Sequence, residues 1–229
     1  MARASSVLIF VFLLMGASFV GAYEPGTHRE IAQRVAQASV SSLDRVLKEE
    51  LSLSGGIRES FRGVSVSGLR TVSELIGDGA FFEDVPDRRA LNHFHNPLVE
   101  SWDQAGISVD LLFLSIRGQS SIRWQQNPSQ ESQSGGGNWS WQDARRRYLQ
   151  ALTGGTRETR AAALGETFDA LGHLTHLDQD ASVPAHTRND PHLLYEGYEA
   201  WVEAMRQGGN DQNGRPRRPV FEGLLYQGR

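Results

Sequence analysis

The stretch from Thr156 to about Ser182 constrains this chain more than any other part of it. It opens Thr156-Arg157-Glu158-Thr159, passes through Ala161-Ala162-Ala163 and meets no proline until Pro184. Intrinsic propensity therefore predicts one long helix. Near its end this helix carries His173, His176 and Asp180. Residues three and four apart share a helix face, so these side chains point the same way. A fold built on such a helix has to find partners for a row of imidazoles and a carboxylate.

The remaining elements read mostly as helix. Ile31, Val35, Ala38, Leu43, Val46 and Leu47 recur at helical spacing, with Thr27 as the expected N-cap and Ser39, Ser41 and Ser42 as a break between two helices. Gly55-Gly56 ends that run. A second helical piece is expected over Gly68 to Ile76, before a turn at Gly77-Asp78-Gly79. Residues 79–100, with Pro86 and Pro97, read as irregular. Val109 to Ile116 is a short apolar run whose periodicity decides neither helix nor strand. Asn127 to Trp139 is rich in Gln, Ser and Gly and reads as a surface loop. Trp141 to Leu152 is expected as a helix closed by Gly154-Gly155, and Pro191 to Arg206 as another, before a loop over Gly208 to Pro219. No segment clearly alternates as a sheet would, so the expected fold class is all-α.

Residues 1–22 have the pattern of an export signal. Arg3 supplies a positive start, Val7 to Met15 is unbroken apolar sequence, and Val20-Gly21-Ala22 fits a cleavage site. Cleavage after Ala22 makes Tyr23 the mature terminus and leaves residues 23–229 as one helical domain, secreted or periplasmic. The 229-residue chain is 39% hydrophobic and 22% charged, which excludes disorder as the default. Its net charge of −4 excludes a global basic surface for nucleic acid or anionic membrane. There are no cysteines. An exported domain without disulfides is held by its core, by metal or by both, and any metal site must use histidine, carboxylate and backbone ligands.

The seven histidines fall in a pattern suited to such a site. His176 and Asp180 form an i,i+4 pair. Pro184 then turns the chain and His186 follows. His192 and Glu196 make a second pair of the same kind, with Glu199 as an alternative carboxylate. Zinc takes about four ligands at roughly 2.0–2.2 Å for nitrogen and oxygen, and a helical i,i+4 pair supplies two of them from one rigid element. Asp180, with histidines on both sides, is the natural bridge between two metals. Upstream, His28 lies close to the free amine and carbonyl of Tyr23, which can chelate. His93 follows the acidic pair Glu83-Asp84, which read alone is a solvated turn.

At this point the residues resemble a known family. His176-Leu-Asp-Gln-Asp180-Ala-Ser-Val-Pro184-Ala-His186 is similar to the signature of the bacterial zinc-dependent phospholipases C, whose all-helical fold is shared with fungal zinc-dependent single-strand nucleases. His93-Phe-His-Asn-Pro97 resembles the family's His-Phe-Tyr-Asp-Pro stretch, Asp84 falls where its metal-binding aspartate is expected, and Tyr23 and His28 fit its N-terminal ligands. The resemblance implies three zinc ions. Asp84, His93, His176 and Asp180 hold the first; Tyr23, His28 and bridging Asp180 the second; His186, His192 and Glu196 the third. It implies water-driven cleavage of a phosphodiester, with Asp84 as general base and His173 as core or support for a ligand.

Several positions depart from the family. Tyr23 replaces a usual tryptophan, the His186-to-His192 gap is short, and Gly26 stands where the phospholipases have a choline-binding glutamate. The chain also ends soon after the last expected ligand, as if C-terminal helices were missing. The expected activity is phospholipase C-like, on phospholipid or another phosphodiester, by a monomer in transient contact with a membrane surface. The alternatives are a single-strand nuclease, with Trp124, Trp139, Trp141 and Trp201 offered for base stacking, and a non-catalytic secreted zinc-binding domain.

Overall fold

Two helices cross with their backbones touching, and that crossing organises the molecule. The computed structural model describes residues 24–38, 42–111, 114–191 and 197–208. Helix α1 spans Pro25–Ala38, α2 Leu43–Glu49, α3 Val72–Phe82, α4 Ser121–Trp124, α5 Gln130–Ser134, α6 Trp141–Thr153, α7 Arg157–Asp180, α8 Pro184–Thr187 and α9 Gly197–Arg206. A Cβ on Gly79 of α3 would lie 1.9 Å from the Asp169 carbonyl of α7, and one on Gly172 would lie 2.2 Å from the Ile76 carbonyl of α3. Only glycine permits that approach. Gly77-Asp78-Gly79 is therefore helix interior, not the expected turn. The glycines look like punctuation in the sequence because their reason is tertiary.

Helix α3 also starts later than expected, at Val72. Thr71 caps it in a reciprocal capping box, accepting from the Glu74 N–H at 3.2 Å while its own N–H donates to Glu74 Oε2 at 2.8 Å. The residues before it form strand β2 (Leu69–Thr71), paired antiparallel with β1 (Ser60–Arg62), Phe61 opposite Arg70. The undecided run at Val109 to Ile116 is a second hairpin, β3 (Ser108–Leu111) with β4 (Leu114–Arg117), Val109 opposite Ile116. The described chain is thus mostly helical with two small antiparallel sheets, which corrects the purely all-α expectation. Each strand is three or four residues long, too short to show alternation in sequence.

Helix α7 lies at the centre. Thr156 caps it, accepting from the Thr159 N–H at 3.1 Å. Its second half is buried on several sides, including Phe168, Asp169, Ala170, His173, Leu174, His176, Leu177 and Asp180, as expected of a helix with neighbours all round. Helices α3 and α6 pack along it, and α1 packs on α3. The main apolar core joins Ala32, Ala36, Leu47, Phe61, Val72, Leu75, Ile76, Ala80 and Phe168.

Three further expectations change. Thr27 is not an N-cap; it sits inside α1, fully buried, and donates to Glu203 Oε2 of α9 at 2.6 Å. The stretch Asn127 to Trp139 contains α5 and the buried Gln130, so it is more than a surface loop. The last helix is described only from Gly197, where Pro191 was expected. The leader at residues 1–22, Tyr23, His192 and Glu196 lie outside the described residues. Among the described residues, no helix is long and apolar enough to cross a membrane.

Candidate metal centre

Each ring and carboxylate of the centre is delivered by a separate local device. The Gly79–Gly172 contact sets the end of α3 against α7, where His176 Nδ1 donates to the Ala80 carbonyl at 2.6 Å. That bond fixes the ring and leaves Nε2 facing inward. Helix α3 ends at Phe82, so Glu83 and Asp84 follow directly. A 3₁₀ turn over Asp87–Asn92 then carries the chain to His93. Helix α7 ends at Asp180, and Pro184 at the first turn of α8 redirects the chain so that His186 points back. The segments carrying His93 and His186 are tied together, since the His95 N–H donates to the His186 carbonyl at 3.0 Å and His186 Nδ1 approaches the His93 carbonyl at 3.3 Å.

His28, His93, His176 and His186 all converge on Asp180, and all five are buried. Asp180 Oδ1 lies 3.3 Å from His28 Nε2. Asp180 Oδ2 lies 2.8 Å from His93 Nδ1, 3.3 Å from His176 Nε2 and 3.7 Å from His186 Nδ1. Asp84 Oδ1 completes the group at 3.4 Å from His93 Nδ1 and 3.6 Å from His176 Nε2. The His28 and His176 rings stack at 3.6 Å, and His186 stacks on Phe94 at 4.2 Å. Six of the nine sequence-predicted ligands thus meet in space, from α1, the segment after α3, α7 and α8. Glu199 lies on α9.

The donor set fits a divalent metal. Five separations among Asp84 Oδ1, His93 Nδ1, His176 Nε2 and Asp180 Oδ2 run from 2.8 to 3.6 Å. A tetrahedron with metal–ligand bonds near 2.1 Å has edges of about 3.4 Å. Among the described residues, neither oxygen of Asp84 or Asp180 makes a hydrogen bond, although imidazole nitrogens surround them. Carboxylate–imidazole contacts that short, with hydrogen-bond geometry unmet at the carboxylate oxygens, fit donors aimed at a common centre. Two triplets, His28–Asp84–His176 and His93–His176–Asp180, each place three donor atoms within 4.8 Å of one another.

Electrostatics agree with the geometry. Burial holds the His28 ring well below the ordinary histidine range. Burial opposes charge on His93 too, but its contact with Asp180 and the nearby Glu83 and Asp84 carboxylates push it up to about 10. Burial likewise works against charge on Asp180, yet the His176 and His186 imidazoles hold its carboxyl well below the usual range. Burial raises the Asp84 carboxyl. The cluster therefore demands positive charge, whether as protons or as a cation.

Glu83 is the residue that sequence reasoning missed. It is no solvated turn but fully buried, accepting from Arg89 at 2.6 Å, His173 Nδ1 at 2.6 Å and Trp124 Nε1 at 2.8 Å. The signal was its adjacency to Asp84, since two successive carboxylates just after a helix face different directions. His173 packs flat against Trp139, with ring centres 4.7 Å apart, and supports Glu83. Trp124 and Trp139 are thus committed to packing, whereas Trp141 and Trp201 are about half exposed.

No known family's sequence profile matches this chain, and neither does any curated protein or solved structure.

Proposed function

We propose that this protein is an exported zinc-dependent hydrolase of phosphodiesters, phospholipase C-like in chemistry and fold type. One observation carries the reading: four imidazoles surround a fully buried carboxylate, Asp180, whose two oxygens make no hydrogen bond among the described residues. A buried carboxylate in that condition is costly unless a cation completes it. The signature from His176 to His186, with its resemblance to the zinc-dependent phospholipases C, supports the same assignment.

Asp84, His93, His176 and Asp180 would hold one ion. His28 and the second oxygen of Asp180 would hold another, joined by the amine and carbonyl of Tyr23, and His186 would serve a third with His192 and Glu196. Divalent zinc in these places supplies Lewis acidity that acidifies water and screens the negative charge of a phosphodiester. The chain's own residues do the rest. Asp180 would offer one oxygen to each of two ions. His176, with its proton committed to Ala80, keeps its lone pair inward. Asp84, the more accessible of the two carboxylates, would accept a proton as general base through the oxygen not committed to the ion.

The test is direct. Protein processed at Ala22 and loaded with zinc is incubated with phosphatidylcholine, phosphatidylethanolamine and phosphatidylglycerol vesicles, and in parallel with single-stranded DNA and RNA. Release of phosphorylated headgroup that a chelator abolishes and zinc restores is the expected result. Cleavage of nucleic acid alone would move the assignment to the nuclease alternative. A loaded protein inert toward all of these substrates would leave a zinc-stabilised binding domain.

A further inference from the structure

Resting on the metal-site reading above, we propose that Glu83 is the positioning residue of the centre, fixing His93 with Nδ1 toward the ion and the ring proton on Nε2. His93 splits its two nitrogens between two carboxylate environments. Nδ1 faces Asp84, His176 and Asp180 at 2.8 to 3.4 Å. Nε2 faces Glu83 Oε1 at 3.6 Å and, among the described residues, makes no hydrogen bond. A neutral imidazole has one proton. On Nδ1 it would confront the cation; on Nε2 it meets an anion and leaves the Nδ1 lone pair for the metal. A carboxylate behind a ligating histidine sets the tautomer in this way and raises the basicity of the ligand.

Glu83 is built to hold that position. Its Oε2 is taken by Arg89 and His173, and its Oε1 by Trp124. The carboxylate plane is therefore pinned from both ends. The holders are themselves held. Arg89 also donates to the carbonyls of Glu83, Gly135 and Gly137 at 2.9 to 3.1 Å, and His173 is clamped against Trp139. A pair serving only to neutralise Arg89 would need neither the indole nor the second imidazole, and would not require Oε1 to face a ring of the centre.

The experiment compares wild type with Glu83→Gln. Both proteins are stripped of metal and titrated with zinc against a competing chelator. Long-range proton–nitrogen correlation spectra of zinc-loaded wild type then report which His93 nitrogen carries the proton. The expected results are a proton on Nε2 with Nδ1 bound to the ion, and zinc affinity about 10- to 100-fold weaker in Glu83→Gln. A folded Glu83→Gln with unchanged affinity, or His93 bound through Nε2, overturns the role of Glu83 while leaving the centre intact. If the variant does not fold, the wild-type spectrum alone decides. Wild type that takes up no zinc overturns both this proposal and the reading on which it rests.

Discussion

Glu83 sits among donors that satisfy both of its oxygens, whereas Asp180, just as buried, has neither oxygen hydrogen-bonded among the described residues. Glu83 faces a guanidinium, an indole N–H and an imidazole. Asp180 faces four imidazoles, which as neutral bases each have a lone pair to offer. The first arrangement is complete within the polypeptide. The second calls for positive charge from protons or a cation, and the difference separates a carboxylate fitted for packing from one fitted to hold an ion better than burial or spacing does.

The largest test of that contrast is Asp180→Asn. It preserves shape and removes charge, and it should leave the protein folded by circular dichroism while lowering hydrolysis of a phosphodiester by about a thousandfold. Metal analysis should show the loss of zinc. Full zinc content and undiminished turnover would erase the distinction. Next in size is the stability of Glu83→Gln, which leaves the Arg89 charge buried without its anion. Urea denaturation should report a loss of about 3 kcal/mol, present with or without metal. A loss seen only in the metal-loaded protein would mean that Glu83 belongs with Asp180 after all.

Gly79→Ala tests the frame that brings Glu83 and Asp84 to α7. Its Cβ would meet the Asp169 backbone, so the helices must part, at a cost of about 2 kcal/mol; thermal denaturation measures it, and zinc affinity should fall with it. An unchanged melting temperature would show that the crossing can yield.

The smallest effect concerns a third carboxylate. Hydrogen bonding from Arg206 in the first place, then from Thr27 and Gln207, lowers Glu203 to about 2. Because the folded value lies below the unfolded one, the stabilisation is full above the ordinary glutamate range and is lost as pH falls from about 4.5 through 2. Solvent screening holds it to about 1 kcal/mol. The stability difference between wild type and Glu203→Gln should shrink over that window, and a difference independent of pH would rule out this origin.

Local rules made part of this legible. Thr156, the alanine run and Pro184 announced α7, and the i,i+4 spacing of His176 and Asp180 announced a shared face. Trp141 and Gly154 marked α6 nearly to the residue. What stayed hidden depends on contacts distant in sequence. Gly77 and Gly79 read as a turn because the groups that require them, the Gln33 side chain for Gly77 and the backbone of Asp169 and Gly172 for Gly79, are distant along the chain. Thr27 read as a cap because Glu203, its actual partner, is 176 residues away. The two hairpins are too short to carry a period. Glu83 read as solvated because Arg89, Trp124 and His173 come together on it only after folding.

The glycine crossing also bears on how such a centre persists through sequence drift. Where main chain rests on main chain, the spacing of Asp84 from His176 does not depend on the identity of nearby apolar side chains. Two hydrogen atoms, one on each glycine, keep the gauge between the helices.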